Sequence, residues 1–190
     1  MVPKYVFLTK GTGVNRDCLH SFELALKEAK IEKYNLACVS SILPPRCKLI
    51  TMEEGLKKLK PGQIVNCVMS RNSTNEFSRQ ISSSIGVAIP RDRNIFGYIS
   101  EYHAYGETSE MCAQYAEYLA ASMLASSLGA DFNGYEIFGR RKEDREGITF
   151  KGTGFLIGSN IVETRNITQI GVCKERNVWT TVVSAAVFVI

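Results

Sequence analysis

Histidine is nearly missing from this chain, with two in 190 residues, and its six cysteines nowhere form Cys-x-x-Cys. Few imidazoles and scattered thiols argue against a zinc site. HExxH, GxxxxGK[ST], GxSxG and a strand-to-helix GxGxxG are all absent. With them go the usual marks of zinc proteases, phosphate loops, nucleophile-elbow hydrolases and dinucleotide binders. No charge dominates: 23 basic and 19 acidic residues leave +4, without a long basic run, too mild a balance to argue for nucleic acid. The longest apolar stretch, Val178–Ile190, has 13 residues and includes Thr180, Thr181 and Ser184, whereas a bilayer span needs roughly 20. MVPKYVFLTK lacks a charged segment followed by an apolar one, so it reads as a strand and not as a signal peptide. No repeat, low-complexity segment or linker divides the sequence. A single cytoplasmic domain with reduced cysteines is the expectation.

What is present is ordinary globular material, 45% apolar and 22% charged, long enough to bury its own core. Tyr5–Thr9 reads as a strand entering a glycine-rich loop, KGTGVN at 10–15. Asp17 caps a helix to about Lys30, with Cys18, Phe22, Ala25, Leu26 and Ala29 on its apolar face. Tyr34–Ser41 is a strand stopped by Pro44 and Pro45. A short strand (Lys48–Thr51), a helical turn (Met52–Lys60) and a strand (Ile64–Met69) follow, then a polar loop over Arg71–Phe77. Strands Ile81–Ile89 and Ile95–His103 are joined by a charged connection at Arg91–Asn94. Thr108 or Ser109 starts a long Ala- and Ser-rich helix that Gly129 ends. A strand begins at Tyr135–Phe138, a solvated charge run spans Arg140–Glu146, and strands cover Phe150–Ile157, Ile167–Lys174 and Val178–Ile190. Strands outnumber helices about three to one in mixed order, which predicts α+β layers with mainly antiparallel pairing.

Most features have bland explanations. KGTGVN and KGTGF (151–155) suit simple turns, and His20 and His103 fall in a helix and at a strand end. The unusual segment is Asn35–Pro45, in which Ser40 and Ser41 end an apolar strand just before two prolines. A peptide bond can be held under strain there with a hydroxyl beside it. Attack of the Ser41 hydroxyl on the Ser40 carbonyl gives an ester. β-Elimination then splits the chain and leaves dehydroalanine, and hydrolysis converts that to a pyruvoyl group. The plain alternative is that the two serines merely end a strand.

SSILPP at 40–45, VAIP at 87–90, Glu101-Tyr102 after an apolar strand, and the closing VVSAAVF together resemble the pyruvoyl-dependent arginine decarboxylases. The resemblance covers residues 4–136 and about 168–188, with 138–166 as an insertion. It implies a single-domain αββα sandwich that assembles as a trimer or a multiple of it, with sites between subunits. It implies cleavage between Ser40 and Ser41 into a 1–40 β chain and a 41–190 α chain, with Ser41 becoming the covalent pyruvoyl cofactor. Glu101 matches the family's proton donor, and Asn35 matches the asparagine supporting the processing and cofactor site. Glu23 falls where the family has an aspartate facing the substrate guanidinium, and its extra methylene shortens the pocket.

The implied chemistry is sound. A pyruvoyl carbonyl forms a Schiff base with an α-amine and takes up electrons as the carboxylate leaves, the task pyridoxal phosphate performs elsewhere. Glu101 in an apolar strand has the setting for a raised pKa and acid catalysis. Read without the family, Glu101 is an exposed strand carboxylate, and Glu23 a helix charge paired with Lys27 at i+4. Three functions fit the residues: pyruvoyl-dependent conversion of arginine to agmatine and CO₂, a non-enzymatic binding or assembly module, and a self-processing hydrolase with an N-terminal serine nucleophile. None requires a metal, a membrane or nucleic acid.

Overall fold

The computed structural model describes residues 1–130, 154–157 and 160–190. Its elements are β1 (Tyr5–Asn15), α1 (Cys18–Glu28), β2 (Asn35–Cys38), β3 (Ile42–Leu43), β4 (Lys48–Leu49), α2 (Met52–Leu56), β5 (Ile64–Thr74), β6 (Gln80–Pro90), β7 (Gly97–Tyr105), α3 (Ser109–Ser127), β8 (Gly154–Ile157), β9 (Asn160–Val172) and β10 (Trp179–Val189). Two five-stranded sheets lie face to face, ordered β2-β5-β10-β1-β4 and β3-β7-β6-β9-β8. Helix α1 packs on β1 and β10 outside the first sheet, and α3 packs on β6, β7 and β9 outside the second. The result is the expected αββα sandwich. Only β1–β4 and β2–β5 pair in parallel among the described strands.

Three apolar layers follow from this stacking. Phe7, Ala25, Leu26 and Ile31 fill the space between α1 and the first sheet. Val6, Val68, Ile85, Val87, Ile99 and Phe188 fill the middle. Ala120, Ala121, Leu124 and Val162 lie under α3. Burying a side chain such as Leu124 or Ile99, both 0% exposed, contributes about 1.5–3 kcal/mol. The middle layer turns polar at one end. There Ser70 Oγ donates to the Tyr102 carbonyl at 2.6 Å, Asn72 Nδ2 to the Ala104 carbonyl at 3.0 Å, and Ser184 Oγ to the Ser83 carbonyl at 3.0 Å.

That polar end explains where strands outrun their sequence signals. Arg71–Thr74 continues β5 and is not a loop, because Asn72 and Thr74 are buried and Asn72 is satisfied across the sheets. Residues 10–15 likewise continue β1. Gly11 and Gly13 are strand residues beneath α1, where a Cβ would meet the backbone of Ala25 and Ser21. Both glycines therefore serve close helix–strand packing and not a turn. β9 starts at Asn160, seven residues before the expected strand, and α2 stops at Leu56. Tyr135–Phe138, Arg140–Glu146 and the first part of Phe150–Ile157 lie outside the described residues, while β8 and the start of β9 fall within 138–166. No described helix is long and apolar enough to cross a membrane.

Candidate active site

The chain changes sheets at the two serines. β2 is the edge strand of the first sheet, paired to β5 only, and β3 is the edge strand of the second, paired to β7. Val39, Ser40 and Ser41 bridge these edges. The bridge is pinned on both flanks: the Val39 N–H donates to the Cys67 carbonyl at 3.0 Å and the Ile99 N–H donates to the Ser41 carbonyl at 2.7 Å. Among the described residues nothing hydrogen-bonds to Ser40, which is exposed, while Ser41 is half-buried. The peptide between the serines thus lies outside either ladder, held from its ends. Downstream, the Cys47 N–H donates to the Pro44 carbonyl at 3.1 Å, so the two prolines form the turn expected of them.

Strand alternation places Glu101. Ser100 Oγ donates to the Ala116 carbonyl of α3 at 2.5 Å, so Ser100 faces the helix. Its neighbours Ile99 and Glu101 face the other sheet. Ile99 is the residue that holds the Ser41 carbonyl. Glu101 therefore stands on the same face, about 6–7 Å further along β7 at about 3.3 Å per residue. Glu101 is exposed at the sheet edge, yet its carboxyl is partly desolvated. That desolvation pushes its pKa up, and His103 on the same face opposes the shift. Glu101 also bears on the Cys67 thiol, which burial first, then Cys38 and Glu101, push up to about 12.

The other two expected residues stand apart within one chain. Asn35 begins β2; its N–H donates to the Gln63 carbonyl at 2.9 Å and its Nδ2 to the Gly62 carbonyl at 2.7 Å. The extended strand alone separates Asn35 from Cys38 by about 10 Å, and Ser41 lies beyond. Glu23 is exposed on α1, outside the first sheet. It makes no ion pair with Lys27; the described ion pairs are Arg79–Glu76 and Arg165–Glu163. Beside it the Arg71 guanidinium sits 3.9 Å from the Phe22 ring centroid. Within the chain, Ser41 is thus held by β7 two residues from Glu101, while Asn35 and Glu23 stand elsewhere on the surface.

Three features escape a reading of the sequence. The Ile99 N–H that holds Ser41 belongs to a strand pairing no local pattern announces. Cys38 and Cys67 lie directly opposite each other in parallel register, a relation invisible in their spacing. Tyr102 OH donates to Glu107 Oε1 at 2.9 Å and its ring meets Tyr115 edge-on at 4.6 Å, tying the end of β7 to α3. Burial first, then Glu107, pushes the Tyr102 hydroxyl up to about 12, which keeps it a neutral donor. Only the adjacency of Tyr102 to Glu101 hinted at this anchor.

Comparison with known proteins identifies the family. Residues 5–190 match the family model described as pyruvoyl-dependent arginine decarboxylase. The chain is 51% identical over 189 residues to pyruvoyl-dependent arginine decarboxylase 2 of Methanosarcina acetivorans, covering 100% of this chain and 98% of the relative. It is 53% identical over 186 residues to a probable pyruvoyl-dependent arginine decarboxylase of Chloroherpeton thalassium, covering 98% and 97%. Methanosarcina mazei has a relative, also named pyruvoyl-dependent arginine decarboxylase 2, at 49% over 189 residues, covering 100% and 98%. With the full sandwich matched from β1 to the C-terminal strand, the chain belongs to the pyruvoyl-dependent arginine decarboxylase family.

Proposed function

We propose that the chain cuts itself between Ser40 and Ser41 and uses the resulting pyruvoyl group to decarboxylate arginine to agmatine and CO₂. The observation that carries this proposal is the unladdered Ser40–Ser41 peptide bridging two sheet edges, with the Ser41 carbonyl fixed by Ile99 and Glu101 on the same face. Restraint on both flanks favours one geometry of a peptide whose hydroxyl is its own nucleophile. Ser41 Oγ bonds to the Ser40 carbonyl carbon as the C–N bond breaks, and the freed nitrogen takes up the proton. Loss of the Ser41 α-proton expels the Ser40 carboxylate, leaving dehydroalanine. Water then replaces the nitrogen, which departs as ammonia. The residues present fit this outcome, since the group derives from the chain itself and asks for no phosphate loop or metal.

The pyruvoyl group supplies an electron sink for the pair left behind by CO₂. Glu101 delivers a proton to the substrate Cα. Its partial desolvation suits that role, because a raised pKa keeps the carboxyl protonated to higher pH. Glu23, exposed on α1 and without an ion pair among the described residues, takes the guanidinium; a carboxylate meets it with two parallel hydrogen bonds. Asn35 supports the processing and cofactor site. Because Glu23 and Asn35 stand away from Ser41 in one protomer, the complete site forms between neighbouring protomers of a trimer. A cytoplasmic location is part of this proposal and rests on the sequence alone.

The test is CO₂ release from arginine by the purified protein, beside Ser41→Ala. Wild type is expected to release CO₂, and Ser41→Ala to stay uncut and inactive. A cleaved Ser41→Ala chain overturns the acyl shift; a processed wild type that ignores arginine overturns the substrate.

A further inference from the structure

We propose that Cys38 and Cys67 form an oxidisable dithiol site whose disulfide staples residues 1–40 to residues 41–190. The two residues are exact register partners at the end of the parallel β2–β5 pair. Their side chains therefore project from the same face of the sheet. Neighbouring strands run 4.7–4.9 Å apart, inside the 4.4–6.8 Å window in which Cα atoms support a disulfide. The Cβ atoms must close to about 3.8 Å, a shift of about 1 Å. β2 is built to yield it: it is a four-residue edge strand, and beyond Val39 its ladder stops.

The pair also has the asymmetry that thiol exchange needs. Cys38 is exposed and Cys67 is 0% exposed. A low-molecular-weight disulfide such as glutathione disulfide meets Cys38 first. The Cys38 thiolate attacks one glutathione sulfur, forming a mixed disulfide and releasing one glutathione thiolate. The Cys67 thiolate then attacks Cys38 Sγ and releases the second. Two cysteine thiols lose two electrons and two protons, and the oxidant leaves as two glutathione thiols. Burial and the neighbouring Glu101 hold Cys67 protonated, so the second step is slow and quickens with pH. The other four cysteines lack such a partner: Cys112 binds Ser82 and Glu107, Cys173 binds the Glu175 and Val178 carbonyls, Cys47 is buried between the sheets and Cys18 lies on α1.

The disulfide itself needs no cleavage, but the stapling of two pieces rests on the proposed cut at Ser40–Ser41. The experiment incubates the purified protein with glutathione disulfide at mildly alkaline pH, blocks remaining thiols, and runs denaturing gels without reductant beside peptide mapping. The expected result is one joined band of the two pieces, a mapped Cys38–Cys67 link, separation on adding dithiothreitol, and no joined band from Cys38→Ser. Glutathione on Cys38 with Cys67 still reduced overturns the proposal, as does joining through any other cysteine. The same map on uncut Ser41→Ala separates the two claims. A Cys38–Cys67 link there, with wild type also uncut, keeps the dithiol site and rejects the cleavage; no link in either protein rejects the dithiol site.

Discussion

A single carboxyl carries most of the predictable chemistry. Glu101 has its pKa raised by desolvation, with His103 opposing the shift. The folded state therefore holds this proton more tightly than the unfolded chain. Stability on this account is greatest below the ordinary glutamate range and is lost as pH rises through the raised value. Glu101→Gln should accordingly melt higher than wild type at neutral pH, and the difference should vanish in acid. Turnover moves the opposite way. Losing a positioned acid costs about 10²–10⁴-fold, so Glu101→Gln should slow CO₂ release by that range and leave agmatine binding nearly unchanged. The fall in rate as pH climbs through the raised value should disappear with it. Unaltered turnover removes Glu101 from the acid role. At this scale the sequence was informative about residue types: Glu101 lies in an apolar strand as read, but the strand expected to run to Ser41 stops at Cys38, and both serines lie in the bridge beyond it. The hydrogen bond from Ile99 was not legible, because sheet pairing joins residues 58 apart in sequence.

Among the elements, α3 obeys its local signals. Thr108 Oγ1 accepts from the Met111 N–H at 3.2 Å, and Gly129, at φ +66°, follows the last turn. Thr108→Ala should lower stability by about 1 kcal/mol in denaturant unfolding, without affecting cleavage. The opposite weight falls on Gly86 in β6, where an added Cβ meets the Ala116 carbonyl and the Glu117 N–H of α3. These are backbone atoms and cannot rotate away, so Gly86→Ala must push α3 off the sheet. It should destabilise by more than the cap loss, measured in the same titration. The apolar strands and both long helices were legible because periodicity and caps are local. The lengths of β1 and β5 were not. Glycines read as loop in one case are a helix seat, and polar residues read as loop in the other are an inter-sheet hydrogen-bonding layer. Which polar residues face a partner sheet depends on tertiary contact, and no window of sequence contains it.

For the whole molecule, the topology accommodates the proposed cut without loss of shape. Residues 1–40 contribute β1, α1 and β2, and β1 is zipped along its full length to β10. Severing the Ser40–Ser41 bridge removes none of these ladders. The same topology separates Glu23 and Asn35 from Ser41, which motivates a site shared between protomers. Mixed assemblies of Glu23→Ala with Ser41→Ala should therefore regain activity, approaching about a quarter of wild type at equal mixing, as expected when each site draws on two protomers of a ring. No recovery on mixing would contradict the shared site. The most direct measurement of the central claim is the intact mass of freshly purified wild-type protein under denaturing, reducing conditions. The account predicts two species of 40 and 150 residues, the larger beginning with a pyruvoyl group in place of Ser41 and resistant to N-terminal sequencing. A single unbroken 190-residue mass, or a larger piece beginning with an intact serine amine, would contradict it.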